Sequence, residues 1–360
     1  MSNTNKSFIW KLFHRYFIVG LNGMALGLFC TLIIGLIMKQ IAGLFTGSIS
    51  YFLLTSATIA TYLTGPVIGV SVANALDSPK LVVLASGVTG FIGAFGADFF
   101  NGKLLNESSQ LLITGPGDPL GTFFAVVVGC EIGRLIFGKT KVDIIVTPFV
   151  TIVSGALFAY FIGPYIAMAM SALGEFILAT TVLKPFLMGI FVSVIMGIAL
   201  TLPISSAAIS MILGLSGLAA GAATIGCCSQ MVGFAVISFK ANGWNGLLAQ
   251  GIGTSMLQVS NIMKKPIIWI PPIVSSAILG PISTIVFKME NNPVGGGMGT
   301  SGLVGQLMTW QTMSPSMDSG TLLVQILLLH FILPAVISLF VYKFMVKKGY
   351  ITSSDYKLDL

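Results

Sequence analysis

The residues best suited to handle a small polar molecule lie in one stretch, residues 290–306. Glu290, Asn291 and Asn292 open it, glycines follow at Gly295, Gly296, Gly297, Gly299, Gly302 and Gly305, and Thr300, Ser301 and Gln306 stand among them. Glycine leaves the backbone bare, so N–H and C=O groups can come close to a ligand, while the amides and hydroxyls add neutral donors and acceptors. This is hydrogen-bonding chemistry for a carbohydrate or a similar polar solute, without a nucleophile. The Gly295-x-Gly297-x-Gly299 spacing has the look of a nucleotide loop, but no strand precedes it and the basic residue of a phosphate loop is missing. No lysine or arginine occurs between Lys288 and Lys343. The later half of the stretch is apolar, which suits a re-entrant fold dipping into protein, where irregular chain at membrane depth is tolerated.

Two further breaks carry candidate residues. Around Pro203 a proline and hydroxyls interrupt an apolar run, and Ser205 and Ser206 are read as a second wall of the same site. Asp118 sits in Gly115-Pro116-Gly117-Asp118-Pro119-Leu120-Gly121, where two prolines and three glycines rule out regular helix. It is either a solute ligand or a turn-stabilising aspartate. Glu131 and Arg134, three apart, suit a structural ion pair, and His330 suits a hydrogen-bonded packing role. No metal-ligand cluster, catalytic triad order or paired carboxylate set stands out, so neither a metal nor another cofactor is expected.

The elements that must position these residues follow from composition. Of 360 residues 55% are hydrophobic and 8% charged, and the mean hydropathy is +0.97. Repeated apolar runs of about 20 residues indicate membrane-spanning helices, since barrel strands would be about ten residues long and alternating. The fold class is therefore all-α: a polytopic helical bundle of eight to ten spans, with broken helices and a re-entrant glycine-rich loop. Runs are expected near residues 16–38, 51–72, 81–97, 120–137, 142–170, 185–200, 207–239, 266–287 and 320–342, with a kink at Pro66. Residues 142–170 should be tilted or broken, 171–184 a short interfacial helix, 207–239 two half-spans, and 244–263 re-entrant or interfacial. Gly87, Gly90, Gly93 and Gly96 form a seam for a neighbouring helix.

The net charge of +7 comes from lysines beside apolar runs, not from a basic stripe with interleaved aromatics, which argues against nucleic acid. By the positive-inside rule Lys6, Lys11, Arg15, Lys343, Lys347 and Lys348 put both termini in the cytoplasm. All four cysteines lie in apolar segments and read as small buried hydrophobes.

Several motifs together resemble a known family: Gly-Asp-Pro-Leu-Gly (residues 117–121), Lys-Thr-Lys-Val-Asp-Ile-Ile-Val-Thr-Pro (139–148), Pro-Ile-Ser-Ser-Ala-Ala (203–208) and the glycine loop. They resemble the EIIC-like membrane proteins of the sugar phosphotransferase system, in the branch that includes perfringolysin O regulator-like proteins of Gram-positive bacteria. The resemblance covers nearly the whole chain, as a single transmembrane domain over residues 1–360 without a fused IIA or IIB domain. It implies a homodimeric sugar permease in the bacterial plasma membrane, served by separate IIA and IIB phosphocarrier partners. The Gly-Ile-Thr-Glu-Pro motif of glucose-type members is missing. A membrane sensor acting on toxin gene expression without transport, and an ion-coupled secondary transporter, are the rival expectations.

Overall fold

A computed structural model describes residues 8–113 and 115–358; Lys6, used above for topology, lies outside them. The main helices are α1 (Trp10–Ala42), α2 (Gly47–Tyr62), α3 (Thr64–Ala75), α4 (Lys80–Ala94), α5 (Pro119–Ile136), α6 (Asp143–Thr181) and α7 (Pro185–Thr201). They continue as α8 (Ser206–Ile212), α9 (Gly217–Ile237), α10 (Phe239–Leu248), α11 (Val259–Lys264), α12 (Pro266–Val286), α13 (Val304–Met313) and α14 (Ser319–Lys347). Among the described residues, six helices are long and apolar enough to cross a membrane, or seven with α2 and α3 as one bent span. The shorter apolar helices α4 and α7 stand beside them. The protein is an all-α polytopic bundle with a broken helix pair.

The chain forms two compact units, Met1–Leu32 with Ile59–Ala167, and Ile33–Thr58 with Met168–Leu360. In the first, glycines bring backbones into contact. A Cβ on Gly90 would run into the carbonyl of Gly65 and the backbone of Gly69 on α3, and one on Gly93 would strike Gly121 and Thr122 on α5. Gly96 faces Ala159 and Gly163 on α6, so the expected single seam is in fact divided among three partners. Each step of three residues turns the helix back by about 60°, which carries the glycines around the axis. Arg15 and Arg134 both reach Glu131 Oε1, at 3.1 and 3.3 Å, and Arg15 also donates to the Leu76 carbonyl at 2.8 Å.

The bend between α2 and α3 is 52° and falls at Leu63, three residues before the proline expected to cause it. A proline is tolerated in the first turn of a helix, where its missing N–H would have no partner, so the break moves ahead of it. Conversely, residues 142–184 do not divide: α6 is one helix of 39 residues with Pro148 and Pro164 inside it.

The second unit is built around α9, which is buried along almost its whole length. The backbone of Ser193 on α7 lies where a Cβ of Gly226 would be, and Pro272 and Ser338 lie against Gly233. Such small residues let helices approach where lipid supplies no hydrophobic drive for association. Gly214 and Gly217, both at positive φ, make the break between α8 and α9, while Gly221 and Gly226 sit inside an unbroken helix. The expected half-spans are thus a short helix and a full one.

Residues 350–358 fold back on this unit. Tyr356 is fully buried, with its hydroxyl donating to the Ile268 carbonyl at 3.1 Å, and Lys265 Nζ meets Asp355 Oδ2 at 2.7 Å. Burial raises the Asp355 carboxyl, but the Lys265 and Thr352 donors outweigh it and hold it below the usual carboxylate range.

Two measurements check this packing. Gly90→Ala should cost about 1–3 kcal/mol of thermal stability in detergent, because backbone must move to admit the methyl, whereas Gly87→Ala, whose methyl would meet nothing nearer than Val70 Cγ2 at 3.3 Å and the Pro66 carbonyl at 3.7 Å, should cost less. For Asp355 a lowered folded pKa means stabilisation that is complete above the unfolded value of about 4 and lost as pH falls through the folded one. The stability gap between wild type and Asp355→Asn should therefore close as the pH is taken below about 4.

Candidate solute site

Asn291 is the residue from which the glycine loop is hung. It is 1% exposed, and its side-chain amide donates to Thr224 Oγ1 on α9 at 2.7 Å and to the Gly305 carbonyl at 3.1 Å. Its Oδ1 accepts the Asn292 N–H at 2.8 Å, and its backbone N–H donates to the Gly217 carbonyl at 3.2 Å, an isolated β-bridge at the start of α9. Asn292 then turns the chain, its Oδ1 accepting the N–H groups of Val294 and Gly295, both at 3.1 Å. Both asparagines, expected to face solute, thus spend most of their hydrogen bonds on the protein.

Residues 295–302 follow as successive buried turns laid on α8 and α9. Gly297 touches the Ser206 backbone so closely that any Cβ would collide, and Ser206 Oγ donates to the Gly297 carbonyl at 2.7 Å. This joins the two stretches that the sequence singled out as walls of one site. Ser205 is spent locally, its hydroxyl accepting the Ala208 N–H at 3.3 Å as the cap of α8. Gly295 and Gly296 lie against the Asn291 side chain and against Ser210 Oγ. Gly299, at φ +53°, rests on Cys227 and Cys228, and Thr300 Oγ1 points to Met231 Sδ at 3.5 Å. Leu303 carries a side chain at φ +60°, a backbone conformation that costs a non-glycine residue about 1–3 kcal/mol.

Where the loop enters α13, Gln306 Nε2 lies 3.1 Å from His330 Nδ1 and 3.4 Å from Cys228 Sγ. Where the loop passes into α13, Ser301 Oγ, Gln306 Oε1 and Thr309 Oγ1 are each buried without a partner, as is Ser210 Oγ beneath Gly296. Leaving such a group unpaired costs about 1–3 kcal/mol, so each is an open demand for a hydroxyl or an amide. No charged side chain occurs between Glu290 and Asp318.

Two expected residues stand outside this group. Glu290 is exposed. Asp118 belongs to the other compact unit, where it caps α5 by accepting the N–H groups of Leu120 (3.1 Å) and Gly121 (3.0 Å). Burial pushes its carboxyl above the usual range, partly offset by those two donors.

Sequence reasoning passed over Thr224, Ser210 and Thr309 and did not connect His330 with the loop. Thr309 was within reach, because it follows Gln306 by one helical turn and so shares its face. Thr224, Cys228 and Met231 line the face of α9 beneath the loop at helical spacing, but nothing in the sequence says which face the loop covers. The contact between Gln306 and His330 spans 24 residues and has no local signature.

The hanger role of Asn291 is directly measurable. Asn291→Ala would strip partners from the Gly305 carbonyl and the Asn292 N–H, both buried or half-buried, so a loss of about 2–4 kcal/mol in unfolding is expected with no solute present. Asn291→Asp, which turns a second acceptor toward the Gly305 carbonyl and buries an unpaired carboxylate, should cost at least as much as Asn291→Ala.

No curated protein matches the chain. A family model described as Phosphotransferase system, EIIC matches residues 18–358, a span that includes Asp118, α8 and α9, the glycine loop and His330. With that match extending over most of its length, the chain belongs to the EIIC family of the phosphotransferase system.

Proposed function

We propose that this EIIC subunit carries a neutral sugar or a related polyol, and that the solute occupies the partnerless oxygens at the junction of the glycine loop and α13. The observation that carries the reading is the group Ser301 Oγ, Gln306 Oε1 and Thr309 Oγ1, buried and unpaired where no ionised side chain is near in sequence. A polyhydroxylated solute offers each of them a hydroxyl that can donate or accept, whereas a charged solute would enter without a counter-ion. Ser206, Gly297, Asn291 and Thr224 are the frame that holds this lining in place. A broken segment is also where transporters commonly bind their cargo.

In the family setting a separate IIB protein would phosphorylate the delivered sugar, with IIA upstream of it. The homodimer, the bacterial plasma membrane and cytoplasmic termini complete the proposal. The lysines at the end of α14 and the basic residues at the start of α1 support the placement of the termini.

Ser301→Ala and Thr309→Val test the site without touching the frame, because each removes an oxygen that bonds nothing in the protein. Both variants should be as stable as wild type or slightly more so, and each should weaken binding of the transported sugar about tenfold, equivalent to about 1.4 kcal/mol. Sugar-dependent thermal stabilisation across a panel of neutral, acidic and amino sugars is the measurement. Unchanged affinity in both variants, or a preference for a charged sugar, would refute the assignment.

A further inference from the structure

The end of the chain is tied to the glycine loop through a run of buried amides. Asn242 of α10 holds the tail at two points, donating from Nδ2 to the Tyr356 carbonyl (2.9 Å) and accepting the Leu358 N–H on Oδ1 (2.8 Å). Asn261 Nδ2 donates to the Lys357 carbonyl (2.8 Å) and to Gln258 Oε1 (2.9 Å). Gln258 Nε2 donates to the Tyr356 carbonyl (3.0 Å) and to Gln250 Oε1 (2.9 Å). Gln250 Nε2 in turn donates to Ser238 Oγ and to the Gly246 carbonyl, both at 2.8 Å. Each of these side-chain NH2 groups in the ladder from Asn261 to Gln250 has two acceptors, and the tail supplies one for Asn261 and one for Gln258.

Gln250 belongs to the wide turn Ala249–Gly253, and that turn packs against Ser301–Leu303, the point where the glycine loop enters α13. The turn is itself an irregular piece of backbone, so its shape depends on Gln250 staying where it is. If residues 350–358 leave, three side-chain amides, those of Asn242, Gln258 and Asn261, each lose an acceptor, and the ladder must rearrange to find others. The first irregular element in its path is the turn beside Ser301. On its outer side the tail is held by the half-exposed pair Lys265–Asp355 and by the capping box of Thr352 and Asp355.

We infer that residues 350–358 are a latch, which holds the glycine loop closed over α9 through the Asn261–Gln258–Gln250 ladder and frees it when the tail is displaced. The inference rests on the reading of that loop as the solute site, since it makes the tail a regulator of access to it. One native thiol, that of Cys228, faces the loop and reports its position, whereas the Cys227 thiol points to the Met196 carbonyl of α7 at 3.5 Å. Gly299 rests on Cys227 and Cys228, and Gln306 contacts Cys228. Cys130 is buried in the other compact unit and serves as a reference, and Cys30, which is exposed, is replaced by serine.

The test is timed labelling of the full-length protein in detergent with N-ethylmaleimide, with the modified cysteines located by peptide mass spectrometry and no solute present. Deletion of the residues after Gly349 and, separately, Asp355→Lys should each speed labelling of Cys228 at least tenfold and leave Cys130 at its wild-type rate. Pairing Asp355→Lys with Lys265→Asp should restore slow labelling, and a synthetic peptide of residues 350–360 should do so for the deletion. Should the deletion fail to fold, Asp355→Lys and its paired rescue carry the test. A wild-type rate at Cys228 in the folded variants, or a parallel rise at Cys130, would overturn the latch. Because sugar takes no part, a failure here is distinct from a failure of Ser301→Ala and Thr309→Val to alter sugar binding.

Discussion

An irregular stretch of backbone buried among helices must find a hydrogen-bond partner for nearly every N–H and C=O it carries, and here Asn291 supplies the decisive ones. Its amide joins Thr224 on α9 to the Gly305 carbonyl at the far end of the same loop, so one side chain fixes both the anchor and the closure of residues 291–305. Helix α9 is a suitable anchor because it is itself immobilised on several sides, by α7 at Gly226 and by α12 and α14 at Gly233. The loop therefore inherits its rigidity from contacts between bare backbones, and any side chain added at those glycines would be felt at the candidate site.

The hydrogen bonds within the loop gather at its start. Its first half, from Asn291 to Gly297, is closed by the protein's own donors and acceptors, with Ser206 completing the set. Its second half, from Ser301 into α13, holds the oxygens that nothing answers. On the proposed reading the first part is the frame of the site and the second its lining.

Much of this was legible in the sequence because membrane helices announce themselves by length and composition, and because a polar, glycine-laden stretch between apolar runs has few uses. The residues of the loop and of the 203–206 break were readable for that reason, and the structure joins them through Ser206 and Gly297. What could not be read was the assignment of roles within them. Asn291 and Ser301 are both short, neutral and polar, and only tertiary contacts show that one is saturated and the other free. Prolines mark breaks only in part: the expected break of the second run is present, one turn ahead of Pro66, whereas Pro148 and Pro164 do not stop α6. The C-terminal strap was invisible, since its partners are side-chain amides more than 90 residues away that recognise main chain and not a motif.

The absence of ionised side chains between Glu290 and Asp318 has an electrical meaning. A membrane potential does work only on charge that moves through its field, about 2.3 kcal/mol per elementary charge per 100 mV. A loop of amides, hydroxyls and bare glycine carries no ionised side chain when it shifts, and a neutral sugar adds none. On the proposed reading, a shift of the loop around a neutral solute therefore moves no ionised side chain through that field.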